Sequence, residues 1–166
     1  MQTVVIYDSK FGNTERVAEA IARGAARFGA VQVVSTADAA GVAGPLAEQP
    51  DLLLLGGPTH KRGPSPAMRA FIDALPGPLR GIPAASFDTR YRGPLFLMGS
   101  AAAGVAKVLA KSGAQPVAPP ESFFMERGGP MERQQLEPGE VERAEQWGAA
   151  VAAAAARQNG VSDASH

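Results

Sequence analysis

The chain alternates short, wholly apolar runs with stretches in which apolar residues recur every three or four positions. Val4-Val5-Ile6-Tyr7 is the first such run and reads as a strand buried on both faces. Behind it, Val17, Ala18, Ala20, Ile21, Ala25 and Phe28 recur at helical spacing, separated by Glu15, Arg16, Glu19 and Arg23. Gly29 stops that helix, and Val31-Gln32-Val33-Val34 supplies a second strand. Residues 37–48, rich in alanine with Gly41, Gly44 and Pro45, predict one short, irregular helix. Leu52-Leu53-Leu54-Leu55 is the third strand, followed by a glycine- and proline-rich loop over 56–64.

Ser65 and Pro66 predict the cap and first turn of a helix that points Met68, Phe71, Ile72 and Leu75 inward. Residues 76–81 form a turn, and residues 82–87 a fourth strand that opens into a loop at 88–93. Residues 94–98 are apolar and read as extended, and 100–109 as a helix ended by Gly113. A final strand over 116–125 is split by Pro119-Pro120, and 126–135 is loop. Pro138 opens the last helix, with Val141, Ala144, Trp147 and Val151 on its apolar stripe, so Trp147 is expected in the core. The expected organisation is one domain over 1–158 and a fraying tail over 159–166.

Strands that alternate with helices pair in parallel through right-handed crossovers. Five strands of this kind predict a doubly wound α/β sheet in the order 2-1-3-4-5, helices on both faces. In such sheets ligands sit beyond the carboxyl ends of the strands, at the switch point. The loops there are 8–14, 58–64 and 88–93.

Composition narrows the chemistry. The chain has 166 residues, 45% of them hydrophobic, and 16 basic against 16 acidic side chains. That length supports one domain with a real core, and the charge balance gives no field for nucleic acid. With no cysteine and only His60 and His166 as imidazoles, disulfides, thiolate chemistry and a zinc or iron site are not expected. No apolar run approaches membrane-spanning length and no leader precedes the first strand, so a cytoplasmic setting is expected.

The first loop carries the strongest signal. Ser9, Gly12, Asn13 and Thr14 lie between a buried strand and a helix, where free backbone amides and the positive helix end favour an anion. Neither G-x-x-x-x-G-K-[ST] nor G-x-G-x-x-G is present. An ordinary strand-to-helix turn capped by Asn13 or Thr14 is the alternative reading.

The stretch Ser9-Lys10-Phe11-Gly12-Asn13-Thr14 resembles the phosphate loop of the flavodoxin family, T/S-x-T-G-N-T. Phe11 stands where the family's central threonine supplies a hydroxyl. The resemblance extends to Gly57-Pro58-Thr59-His60, similar to the family's G-x-P-T segment with His60 in place of a ring-stacking aromatic. It implies a flavodoxin-like fold and FMN as cofactor. It also implies a ring sandwiched by Pro58, Thr59, His60, Lys61 and Arg62 on one side and by Asp88, Thr89, Arg90 and Tyr91 on the other. Tyr91 is the stacking candidate; alternatively it covers the sheet edge, His60 is a solvated loop residue, and Asp88 and Thr89 cap their own turn.

Lys10, Lys61, Arg62, Arg90 and Arg92 all lie on these loops and form a basic rim by sequence. Such a rim eases the second reduction of a flavin, making a less reducing carrier or one that serves an anionic partner. The implied function is electron transfer with a redox partner protein or a small-molecule acceptor, requiring no catalytic protein residue. Two alternatives share the fold: an NAD(P)H-dependent FMN or quinone reductase, and a domain that no longer holds flavin.

Overall fold

A computed structural model describes residues 1–38, 46, 48–75 and 79–163, with side chains through residue 160. Strand β1 (Gln2–Tyr7) leads into helix α1 (Asn13–Ala25), and β2 (Ala30–Ser35) follows. Then come β3 (Leu52–Pro58), α2 (Pro66–Asp73), β4 (Pro83–Tyr91), the single turn α3 (Leu95–Met98) and α4 (Ala101–Lys111). The chain closes with β5 (Gln115–Pro116), β6 (Glu121–Met125) and α5 (Glu140–Asp163). The helix expected within 37–48 lies mostly outside the described residues, as do part of the turn at 76–81 and the tail at 164–166. Among the described residues, no helix is long and apolar enough to cross a membrane.

The sheet is parallel, in the order β2-β1-β3-β4-β5, with β6 continuing β5 along the same edge of β4. Pro83 and Ala84 pair with β5, and Phe87 to Tyr91 pair with β6. The prolines at 119 and 120 lie in the gap between them, as the sequence predicts.

Successive residues of each central strand face opposite layers. Val5, Leu52, Leu54 and Phe87 pack with Val17, Ile21, Ala144 and Val151 of α1 and α5. Val4, Ile6, Leu53 and Leu55 pack with Met68, Val105 and Leu109 of α2 and α4. Trp147 lies edge-on to Phe87 and Phe123, at 6.3 and 6.2 Å between ring centres, and completes the first layer. Helices α1 and α5 meet at two glycines. A Cβ at Gly24 would collide with the Glu145 carbonyl, and one at Gly148 with the Ile21 carbonyl.

Three local expectations are corrected. Strand β3 continues through Pro58, because Gly56, Gly57 and Pro58 pair with Phe87, Asp88 and Thr89. A side chain at residue 56 would strike the Phe87 ring, so only glycine lets that pairing form. Strand β4 likewise runs through Tyr91 rather than opening at Asp88, since β6 pairs with it over that length. Residues 95–98, expected extended, coil into a helical turn in which the Met98 and Gly99 amides donate to Pro94 and Leu95.

Candidate functional site

The carboxyl ends of β1, β3 and β4 lie side by side, and three connections rise from them. From β1, Gly12 adopts a left-handed conformation (φ 85°) that turns the chain into α1. No side chain caps α1, so the amides of its first turn are left for something else. Ser9 Oγ accepts from the Gly12 amide at 3.1 Å, which holds the turn tight. Lys10 and Phe11 are exposed at its crest, the ammonium 5.2 Å from the ring centre. The apolar stripe of α1 anchors the turn from below.

Asn13 and Thr14 are buried and point across the site. The Asn13 amide donates to the Gln134 carbonyl at 2.8 Å, and the Thr14 and Thr89 hydroxyls meet at 2.8 Å. Tyr91 donates its hydroxyl to the Gln134 side-chain carbonyl, and Arg127 lies over its ring at 5.5 Å. Tyr91 is thereby tied to the 126–137 segment. Tyr7, at the end of β1, donates to Glu15 at 2.8 Å; burial first, then that carboxylate, push its phenol up to about 12.

After β3, the Thr59 amide donates to the Thr89 carbonyl at 3.0 Å, so Thr59 extends the sheet. His60 and Gly63 exchange hydrogen bonds at 2.8 and 3.0 Å around Lys61 and Arg62, a two-residue hairpin. Both central residues have positive φ, 45° and 71°, the pair of angles usually taken by glycine or asparagine. His60, Lys61 and Arg62 are exposed.

Asp88 is fully buried. Its Oδ2 accepts from Thr59 Oγ1 at 3.0 Å, Ser100 Oγ at 2.6 Å and the Ala102 amide at 2.9 Å. Thr59 Oγ1 in turn accepts from the Ala101 amide at 2.9 Å. Asp88 and Thr59 therefore satisfy the N-terminus of α4, where a negative charge is favoured by the helix dipole. Asp88 does not cap its own turn, and it faces the α4 layer.

Arg90 also leaves the rim. Its side chain is 9% exposed, donates to Ser122 at 2.9 Å and lies over the Phe124 ring at 5.0 Å. Arg92 is 61% exposed but pairs with Glu137 at 2.7 Å. Of the five cations expected to form the rim, Lys10, Lys61 and Arg62 are left without an ion pair among the described residues.

Several contributors carried no sequence signal. Asp8 accepts from Ser65 at 2.5 Å and from Thr36 at 3.5 Å, tying the end of β1 to the cap of α2. Gln134 reaches the site from a segment that reads as plain loop. That segment is fastened by Glu140, whose carboxylate accepts from the Phe124 amide and from Arg143. Burial alone would raise the Glu140 carboxyl, but the Arg143 and Phe124 hydrogen bonds outweigh it and hold it below its ordinary range.

The arrangement can hold a phosphate monoester at the head of α1, with the ends of β3 and β4 leading away from it.

The comparisons agree with this geometry. The family model described as flavodoxin matches residues 5–147. Among solved structures, a flavodoxin from the domain Archaea superposes with a TM-score of 0.74 at 22% identity, covering 93% of this chain and 99% of that one. Oxidised flavodoxin 1 from Bacillus cereus gives 0.71 at 25% identity, covering 91% and 97%. Rubredoxin oxygen:oxidoreductase from Desulfovibrio gigas gives 0.72 at 18% identity, with this chain covering 94% of itself and 36% of that protein. No curated protein matches the sequence significantly. The chain belongs to the flavodoxin family.

Proposed function

We propose that this chain is a cytoplasmic FMN-binding electron carrier. One observation carries the reading: α1 begins at a left-handed Gly12 with no side-chain cap, directly beyond a buried central strand. Unpaired amides at the positive end of a 13-residue helix favour a dianion such as a phosphate monoester. Ser9, Asn13 and Thr14 add polar side chains at the same place, and Lys10 adds a charge at its edge. These residues fit the phosphate of FMN.

The chain's own residues supply binding and position. The free amides at the head of α1 would hold the phosphate, and Thr59 and His60 after β3, with Thr89 and Tyr91 at the end of β4, would hold the ring. Asp88 and Arg90 act one layer down: Asp88 fixes α4 against Thr59, and Arg90 fixes β6 against β4. When bound, FMN supplies the redox chemistry, and the protein tunes it through charge and exposure.

A domain that holds no flavin is the rival reading, favoured by the protein partners already given to Asn13 and Thr14. Purified protein incubated with FMN and passed through a desalting column separates the two. Yellow protein with one flavin per chain supports the carrier, and colourless protein supports the rival.

A further inference from the structure

Between β4 and α4 the chain runs through α3, whose Leu95, Phe96 and Leu97 are 59%, 79% and 53% exposed. Single exposed apolar residues are ordinary, but three large ones in succession form a contiguous patch. In a helical turn successive side chains point about 100° apart. A flat ring covers one or two of them, whereas a protein surface can cover all three.

The patch is flanked by cations on both sides. On one side, Gly99 (φ 68°) packs so closely on the hairpin that a Cβ there would collide with the Arg62 backbone. This sets Lys61 and Arg62, exposed and without an ion pair among the described residues, beside α3. On the other side Gly93 lies against Met98, and Arg127 donates to the Arg92 carbonyl at 2.7 Å. Arg92 is paired with Glu137, and Arg127 lies over Tyr91. With residues 126–137 included, these segments carry Lys61, Arg62, Arg92, Arg127 and Arg133 against Glu126, Glu132 and Glu137, five cations to three carboxylates.

We propose that this apolar turn and its cationic flanks are the docking face for a small acidic electron-transfer protein. An apolar centre with a charged rim is the composition of a transient protein interface, and the sign of the rim selects the partner. The proposal rests on the electron-carrier reading, since it names the partner of that carrier.

Amide chemical shifts of the 15N-labelled chain, titrated with a small acidic [2Fe–2S] ferredoxin, test it without needing flavin. Shifts are expected at 60–63, 92–99 and 127, fading as salt rises to on the order of 0.5 M. Lys61→Glu with Arg62→Glu should weaken binding at least about tenfold. Phe96→Ser should do the same, with an unchanged thermal transition showing that the fold survives. No shifts, shifts on other faces, unaltered affinity in the variants, or equal binding of basic cytochrome c would each overturn the proposal. So would FMN alone moving the amides of 95–97, because the flavin would then be what covers the patch. A chain that binds the acidic protein at this face yet stays colourless with FMN would overturn the electron-carrier reading and leave the docking face standing.

Discussion

The Asn13 side chain donates to the main-chain oxygen of Gln134 at 2.8 Å, joining the head of α1 to a segment 121 residues further on. Asn13 therefore fastens the segment that also holds Tyr91, and in the proposed function it also lines the anion seat. Asn13→Ala should weaken FMN binding about tenfold, the loss of one hydrogen bond of about 1.4 kcal/mol. It should also speed hydrogen exchange in the amides of 126–136. Unchanged affinity together with unchanged exchange would show that the side chain does neither job.

Asp88 receives two hydroxyl protons and one amide on a single buried oxygen. Asp88→Ala strands those donors and should cost about 3 kcal/mol or more. Asp88→Asn keeps the shape but removes the charge facing the α4 dipole and should cost about 1–2 kcal/mol. Urea denaturation measures both, and a neutral Asp88→Ala would refute the clasp between β4 and α4.

The α1–α5 contact predicts a contrast among glycines. Gly148→Ala forces a methyl into the Ile21 carbonyl and should destabilise by about 3 kcal/mol, with Gly24→Ala similar. Gly160, also in α5, has open space at its Cβ position. Gly160→Ala should instead stabilise by about 0.5 kcal/mol through helix propensity. Equal effects at positions 148 and 160 would contradict the close crossing.

Glu140 predicts the acid limb of the stability profile. In the unfolded chain this carboxyl titrates near 4.5, and in the folded chain it stays ionised to lower pH. Its pairing with Arg143 and the Phe124 amide therefore adds stability above about 4.5, which is lost as acid protonates the folded carboxylate. The urea midpoint should fall as pH drops below that value, and Glu140→Gln should flatten this limb.

Much of the fold is legible because apolar runs and helical stripes occupy separate stretches. The broken edge strand is legible too, since two adjacent prolines cannot donate to β4. The site is less so. The sequence places Asp88 and Arg90 at the ring only if strand β4 stops at Phe87. Once β4 continues to Tyr91, the period of two sends Asp88 and Arg90 to one face and Thr89 and Tyr91 to the other. Thr89 then meets Thr14, and Asp88 meets α4. The signal is the strand-compatible run Phe87-Asp88-Thr89-Arg90-Tyr91, in which the three central residues are polar and so read as loop. Gln134 had no signal, because only the packing of 126–137 over β4 brings it to Asn13. The turn at 95–98 escaped because a short apolar run suits either a strand or a helix.

The central claim is that the head of α1 holds a phosphate. Calorimetric titration with FMN and with riboflavin, which lacks that group, tests it most directly. FMN should bind at least about 100-fold tighter, since hydrogen bonds to a charged group contribute about 1.5–3 kcal/mol each. Equal affinities, or binding of neither, would contradict it.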